Sequence, residues 1–170
     1  MVAILRATLK YPHAWPRVFA VASLLRRKEA VSDEVIAGIA ADATVRTTLY
    51  SLLKGLKASK RIPAAQRSRD AFAEADMVQW LSHPGELGRP PDALEKMAVF
   101  TTKKQVLYVW RFKSNGTWKA STSGVYELNA PEGPLSGSST FSSFEDWSSN
   151  DAEGHANEIL ETLGKWARAK

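Results

Sequence analysis

A chain of 170 residues, of which 44% are apolar and 24% charged, is long enough for one globular domain or for two small ones. It has no cysteine, which excludes a disulfide scaffold, thiolate metal sites and thiol catalysis, and fits the reducing cytoplasm. The net charge of +5 lies in residues 1–92, with 14 Lys and Arg against 9 Asp and Glu, so any electrostatic function is expected in that half.

The first half is predicted to be helical. The longest apolar run, VFAVASLL at 18–25, is far shorter than the roughly 18 residues of a membrane span, so we interpret it as a buried helix and expect no membrane partner. Trp15, just before it, is expected in the core. The stretch SDEVIAGIA (32–40) predicts a second helix, because Ser32 suits an N-cap and the two acids suit a helix N-terminus.

A loose repeat runs through these helices. Arg17 and Arg46 stand 29 residues apart, each followed by small and apolar residues at helical spacing. The pattern resembles HEAT repeats over about residues 5–58. The resemblance implies stacked helix pairs, although the chain holds at most two copies and a free-standing solenoid usually has three or more.

Two more helices are predicted further along. A helix at 43–58 has Asp42 as its N-cap and one apolar stripe, comprising Val45, Leu49, Leu52, Leu53 and Leu56. A helix from about 66 to 82 has as its inner face Phe72, Ala75, Val78 and Leu81, with Met77 and Trp80 beside it.

The stretch WLSHPGELGRPPD (80–92) marks a change of architecture. Pro84 disfavours helical angles at His83, so the helix is expected to end there. We therefore predict a helical region over 1–83, a connection over 84–92, and a different kind of structure over 93–170.

Residues 93–170 predict an antiparallel sheet followed by a helix. Strands are expected at 94–101 and 105–112, and Asn115-Gly116 predicts a hairpin that pairs Lys113 with Trp118 and Arg111 with Ala120. A long third strand is expected to bulge near Gly124. The face with Val106, Tyr108, Trp110 and Phe112 should be buried, and the face with Leu107, Val109 and Arg111 half covered.

The C-terminal helix is predicted to start with a capping box of Asn150 and Glu153. Its inner stripe is expected to comprise Ile159, Leu160, Leu163, Trp166 and Ala167. The predicted fold class is α+β, with N-terminal antiparallel, HEAT-like helices packed on a small antiparallel β-sheet that carries a C-terminal helix.

The second half has a resemblance of its own. It is similar to a module of uncharacterised bacterial proteins that carry HEAT repeats upstream. The residues that carry this resemblance are Trp80, Leu81, Pro84, Glu86, Leu87, Gly88, Pro91, Asp92, Phe141, Phe144, Trp147 and His155. It implies an architecture and no catalytic residues.

Patterns that indicate an enzyme are missing from the sequence. It has no nucleophile elbow, phosphate loop, dinucleotide fingerprint or zinc-protease motif, and its three histidines lack ligand spacing. We expect no catalysis, no cofactor and no metal. If the protein were an enzyme, the cleft would lie at the connection, with His83, Glu86 and Asp92 and with Arg111 of the sheet.

A basic stretch is the most pronounced signal for binding. Between residues 43 and 69 there are seven Lys and Arg and no acid. A positive stripe with an aromatic in it is suited to following phosphates, and its alternative interpretation is a solvated helix face. The stripe comprises Arg46, Tyr50, Lys54, Lys57, Lys60, Arg61, Arg67 and Arg69.

Trp118 is the second candidate contact. One residue beyond the predicted turn, it is placed to stack under Arg111 or Lys113 or to contact a partner.

Three hypotheses follow. The first is a cytoplasmic, non-catalytic module that binds another macromolecule, with a protein as the expected partner. The second is a nucleic-acid-binding protein that uses the basic stripe. The third is a bacterial toxin-neutralising protein of the immunity type, by analogy alone.

Overall fold

The computed structural model of the protein describes residues 1–128, 132–134, 140–147 and 152–163. It confirms the α+β class, with helices in the first half, then an antiparallel sheet and a further helix. The helices are α1 (Val2–Thr8), α2 (Ala14–Arg26), α3 (Asp33–Ala40), α4 (Ala43–Gly55), α5 (Ala64–Arg67), α6 (Arg69–Leu81) and α7 (Ala152–Leu163), with a 3₁₀ turn at Ser59–Arg61. The strands are β1 (Ala93–Thr101), β2 (Gln105–Ser114), β3 (Thr117–Glu127) and β4 (Thr140–Asp146).

The chain forms two compact units. The first comprises Met1–Ala75 and Glu132–Pro134, and the second comprises the rest. The division between the two units lies inside α6, between Ala75 and Asp76. A single helix thus gives its first half to the helical unit and its last residues to the sheet unit.

The helical unit contains two equivalent helix pairs, α1–α2 and α3–α4. Helices α2 and α4 each have 13 residues, and their first residues, Ala14 and Ala43, lie 29 positions apart. Their apolar faces meet in one core, which includes Val18, Val21, Leu24, Ile36, Ile39, Val45, Leu49, Leu53 and Ile62. The 29-residue spacing expected from Arg17 and Arg46 is therefore the spacing of the helices themselves.

The ends of α2 and α4 repeat the same hydrogen bonds. The Glu29 N–H donates to the Leu24 carbonyl at 3.0 Å, and 29 positions later the Ala58 N–H donates to the Leu53 carbonyl at 2.7 Å. The residue before each donor has a left-handed backbone, Lys28 at φ 61° and Lys57 at φ 57°. This is the Schellman arrangement, which normally places glycine at the left-handed position.

The predicted caps of α3 and α4 are confirmed. The Ser32 hydroxyl accepts from the Val35 N–H, and the Asp42 carboxylate accepts from the Thr44 N–H at 2.9 Å. The apolar stripe of α4 is buried or partly buried as expected, but the helix ends at Gly55, before the predicted residue 58.

Helix α6 presents the predicted inner face. Phe72, Ala75, Val78 and Leu81 are buried, and so is Met77. The helix begins at Arg69, after the short α5, and not at about residue 66. The expected burial of Trp15 was wrong, because this residue is exposed, and Trp80, beside the inner face of α6, is exposed as well.

The sheet has the strand order β1-β2-β3-β4, and each neighbouring pair is antiparallel. The Asn115-Gly116 turn is confirmed, with φ of 51° and 83°, and it pairs Lys113 with Trp118 and Arg111 with Ala120. The register of β2 and β3 shifts between the pairs Tyr108–Ser123 and Val106–Tyr126. The extra residue lies in β3 at 124–125, where the bulge was predicted.

Both faces of the sheet are covered within the second unit. The predicted buried face of β2 is confirmed, and the end of α6 lies on this side, where the Ser121 hydroxyl donates to the Met77 sulfur at 3.0 Å. The other face is covered more fully than expected. Leu107 and Val109 are buried against Ala156 of α7.

Helix α7 confirms the position of the C-terminal helix and has Glu153 in its first turn. Asn150, Trp166 and Ala167 lie outside the described residues. Ile159, Leu160 and Leu163 belong to α7, but their side chains lie outside the described part of the structure.

Candidate functional site

Arg46 lies in the interior and is not part of a surface stripe. The residue is 4% exposed, and its Nε donates to the Ala40 carbonyl at 2.8 Å. The two Nη atoms donate to the carbonyls of Ala41 and Ala71, and Nη1 also contacts the Glu74 carboxylate at 2.7 Å. The guanidinium therefore ties the end of α3 to α6, and its donors are directed at the protein and not at a phosphate.

Tyr50 is also engaged inside the helical unit. Its ring packs edge-on against Phe72, with 5.1 Å between the ring centroids. Its hydroxyl lies so close to Gly133 that a Cβ on that glycine would be 3.0 Å away. Tyr50 is therefore a packing residue of α4.

Three further arginines of the predicted stripe are partly buried. Arg61 donates to the Asp33 carboxylate at 2.7 Å and to the Val31 carbonyl, and Arg67 forms an ion pair with Glu132. Arg69 is partly buried, with its Nε enclosed by the protein. The charges of Arg61 and Arg67 are thus paired with carboxylates inside the helical unit.

The exposed remainder of the stripe is Lys54, Lys57 and Lys60. These lysines lie at and just beyond the end of α4, where cations interact favourably with the helix dipole. Of the eight residues of the predicted stripe, these three lysines are the exposed ones.

The contact predicted at Trp118 is present. The Arg111 guanidinium lies 4.4 Å from the centroid of the Trp118 ring, and the Lys113 ammonium lies 6.0 Å from it. Arg111 also donates to the Glu95 carboxylate of β1 at 2.8 Å. Trp118 is therefore covered by the protein's own cations.

The three candidate residues at or beside the predicted connection, His83, Glu86 and Asp92, are held by their chain neighbours. His83 Nδ1 accepts from the Gly85 N–H at 3.2 Å, and the Asp92 carboxylate accepts from Arg89 at 2.6 Å. The Glu86 N–H donates to the His83 carbonyl. The Arg89 hydrogen bond is the main cause that lowers the pKa of Asp92, so this carboxylate is stabilised in its ionised form.

The feature that the sequence interpretation missed is an exposed aromatic pair on α2. Trp15 is 48% exposed and Phe19 is 52% exposed, and their rings stack with centroids 6.3 Å apart. Arg26 shares this side of the helix, since positions 15, 19 and 26 fall within about 40° of one another at 100° per residue. We call Trp15, Phe19 and Arg26 the outer face of α2.

Other exposed apolar side chains belong to the same helix pair. Ile4 of α1 is 70% exposed, and Tyr11, just before α2, is exposed beside the His13 ring. Single exposed apolar residues are ordinary, whereas a concentration in one helix pair is typical of a contact surface.

The internal repeat shows what the fold itself needs at these positions. Twenty-nine residues after Trp15 and Phe19, α4 carries Thr44 and Thr48. Helix α4 has the same length and the same C-terminal hydrogen bonds with threonine at both places. Packing of the helix pair therefore does not require the two aromatic rings of α2.

One signal in the sequence could have indicated this surface. Helix α2 is apolar on almost its whole circumference, from Ala14 to Leu25, apart from Arg17 and Ser23. A helix of that kind is either buried on all sides or exposes part of its apolar surface.

Among the described residues, no helix is both long and apolar enough to cross a membrane, and no group of three or more His, Asp and Glu is placed to hold a metal ion. A comparison with known protein families, curated proteins and solved structures finds no match for the chain.

Proposed function

We propose that the protein is a non-catalytic module that binds another protein through the outer face of α2. The exposed aromatic pair is the observation that carries this proposal. Trp is among the residues that dominate binding energy at protein interfaces, and large rings that the helix does not need for its own packing are available to a partner.

The two helix pairs support the module's proposed HEAT-like character. They repeat with one spacing, share one core and end in the same backbone motif. Repeats of this kind present side chains on a rigid row of helices, which suits macromolecular recognition in the cytoplasm, where we propose that the protein acts.

The arrangement of polar side chains also favours binding over catalysis. The candidate catalytic groups at the connection, His83 and Asp92, are engaged by Gly85 and Arg89 at close range. Of the proposed nucleic-acid stripe, the exposed lysines remain, and they serve as a control surface in the test below.

The proposal is tested by affinity capture from nuclease-treated lysate with the full chain and with W15T/F19T. This double variant installs the residues that α4 carries at the equivalent positions, so it is expected to keep the wild-type helicity and melting temperature. We expect a stoichiometric protein partner that the wild type captures and the variant loses.

A second variant, K54A/K60A, separates the two surfaces. It removes exposed cations from the end of α4 and is expected to retain the partner. Equal recovery from the wild type and from W15T/F19T would refute the proposal. Recovery of nucleic acid that K54A/K60A loses would favour the basic cluster instead.

A further inference from the structure

We infer that the outer face of α2 takes an acidic amphipathic helix of the partner protein. This inference rests on the proposed function and specifies the chemistry of the partner. Three properties of the helix pair lead to it: the spacing of the rings, the charge around them and the places where that charge lies.

The spacing of the rings fits a helix. Trp15 and Phe19 are one helical turn apart and stack with their centroids 6.3 Å apart. Apolar side chains at positions i and i+4 of a second helix are separated by a similar distance, about 6 Å. An amphipathic helix laid on α2 can therefore place one apolar residue against each ring.

The charge of the helix pair selects an acidic partner. Residues 1–28 contain six Lys and Arg and no Asp or Glu, and one of the six, Arg6, forms an ion pair with Glu29 at 2.7 Å. Lys10 and Arg26 are exposed near the two ends of α2, and Arg26 lies about 16 Å along the helix from Trp15. Acids near the ends of the bound helix would meet these cations, and complementary charge of this kind raises association rates and excludes other partners.

The same charge disfavours a second copy of this chain. In a symmetric dimer through this face, each patch would meet its own copy, and cations would oppose cations. The like charges directly opposed across such a contact are unfavourable.

The position of the cations also disfavours single-stranded nucleic acid. A strand whose bases stack on the two rings needs cations alongside the rings, because its phosphates follow its bases. Between Pro12 and Leu25 the cation is Arg17, which lies on the opposite side of α2 with its Nη2 directed towards Gly38. The cations thus lie at the ends of the aromatic pair and not beside it.

The inference is tested by selecting peptides from a displayed random library. Peptides of about 16 residues, long enough as helices to cover the outer face, are selected on the full wild-type chain and counter-selected on W15T/F19T. We expect the enriched sequences to combine apolar residues at i and i+4 with an excess of Asp and Glu.

Enriched peptides are then synthesised and titrated against two charge variants. K10E/R26E is expected to weaken binding by at least about tenfold. K54E/K60E changes the net charge by the same amount at two exposed lysines that lie outside the outer face of α2, and it is expected to stay within about twofold of the wild type.

Several results would overturn the inference. Enriched peptides that are neutral or basic would do so, as would an equal loss of affinity in both charge variants or a lack of enrichment over W15T/F19T. Binding of an oligothymidine that W15T/F19T abolishes would assign the face to nucleic acid. A captured protein that needs Trp15 and Phe19 but offers no acidic segment would leave the proposed function standing and refute the inference alone.

Discussion

Asp76 couples the stability of the sheet unit to pH. Its carboxyl is largely buried in the second half of α6, and this burial raises its pKa from 3.8 to about 6, while the interaction with the Tyr126 hydroxyl acts in the opposite direction. The folded protein therefore holds this proton more tightly than the unfolded chain does. Between about pH 4 and pH 6 stability falls as the pH rises, and above pH 6 the whole penalty is present.

We expect D76N to stabilise the protein by about 1–2 kcal/mol at pH 7.5, allowing for the part of the carboxyl that water reaches. The gain should vanish near pH 3.5, where Asp76 is protonated in both states. Urea unfolding at several pH values measures both. D92N is the control with the opposite sign, because the pKa of Asp92 is lowered by Arg89. A D76N effect that does not change with pH would contradict the assignment.

Arg46 is expected to be a stability residue and not a binding residue. R46A removes the guanidinium donors that bind the carbonyls of Ala40, Ala41 and Ala71, and it leaves Glu74 without this cation, so we expect a loss of about 3 kcal/mol in the free energy of unfolding. Chemical denaturation measures this loss. K54A, which replaces an exposed residue of the same helix, is the control and is expected to change the free energy of unfolding very little. A stable R46A protein that has lost only its binding would show that Arg46 acts at the surface after all.

Helices α2 and α4 end in the same motif, and this motif leads to a prediction about their stability. Lys28 and Lys57 hold left-handed backbone angles that strain a residue with a Cβ. K28G and K57G are therefore each expected to raise stability by about 0.5–1 kcal/mol, measured by thermal and chemical unfolding.

K54G provides the matched control for this pair, because Lys54 lies in the last turn of α4, before the helix ends. Glycine at a helical position costs up to about 1 kcal/mol, so the sign of the change should reverse. If K28G and K57G destabilise the protein as well, the two helices do not end in the motif described.

The elements were also where the sequence was most informative. The pairing of Lys113 with Trp118 and the bulge near Gly124 could be predicted, because a two-residue turn fixes register and alternation fixes the faces. The surface could not be predicted in the same way. Helix α4 is covered on two sides, by its core neighbours and by α6. The helical periodicity of its sequence identifies the core side, but it does not show that Arg46 is buried against α6.

The outer face of α2 escaped prediction for a related reason. On a helix that is apolar almost all round, hydrophobic periodicity does not distinguish the side that meets solvent, and the pattern therefore predicts Trp15 in the core although it is exposed. The comparison with Thr44 and Thr48 needs the alignment of two helices, which the structure provides through their equal lengths and ends.

A short segment between β3 and β4, residues Glu132–Pro134, belongs to the helical unit. Glu132 bridges to Ser68, and the Gly133 N–H donates to the Arg67 carbonyl at 3.1 Å. Gly133 has φ of 99° and faces the Tyr50 hydroxyl. The helical unit therefore depends on residues far beyond its last helix.

We expect G133A to destabilise the helical unit by about 1–3 kcal/mol, because a residue with a Cβ is strained at this backbone conformation and the new methyl group also collides with Tyr50. Chemical unfolding measures the effect in this variant and in its control, and hydrogen exchange of the α4 amides shows whether the loss lies in the helical unit. G88A is the control, since Gly88 has φ of 69° but open space around it, and it should show the backbone strain without the collision. Equal effects of the two substitutions would show that the contact with Tyr50 carries no weight.

The same segment has a consequence for synthesis on the ribosome. The helices from α1 to α6 leave the exit tunnel well before Glu132, which pairs with a residue 65 positions earlier. Closing so long a loop is slower than packing neighbouring helices. Until three strands have been translated, the nascent helical half lacks its last contacts around Tyr50 and Arg67, and this patch is then open to chaperones.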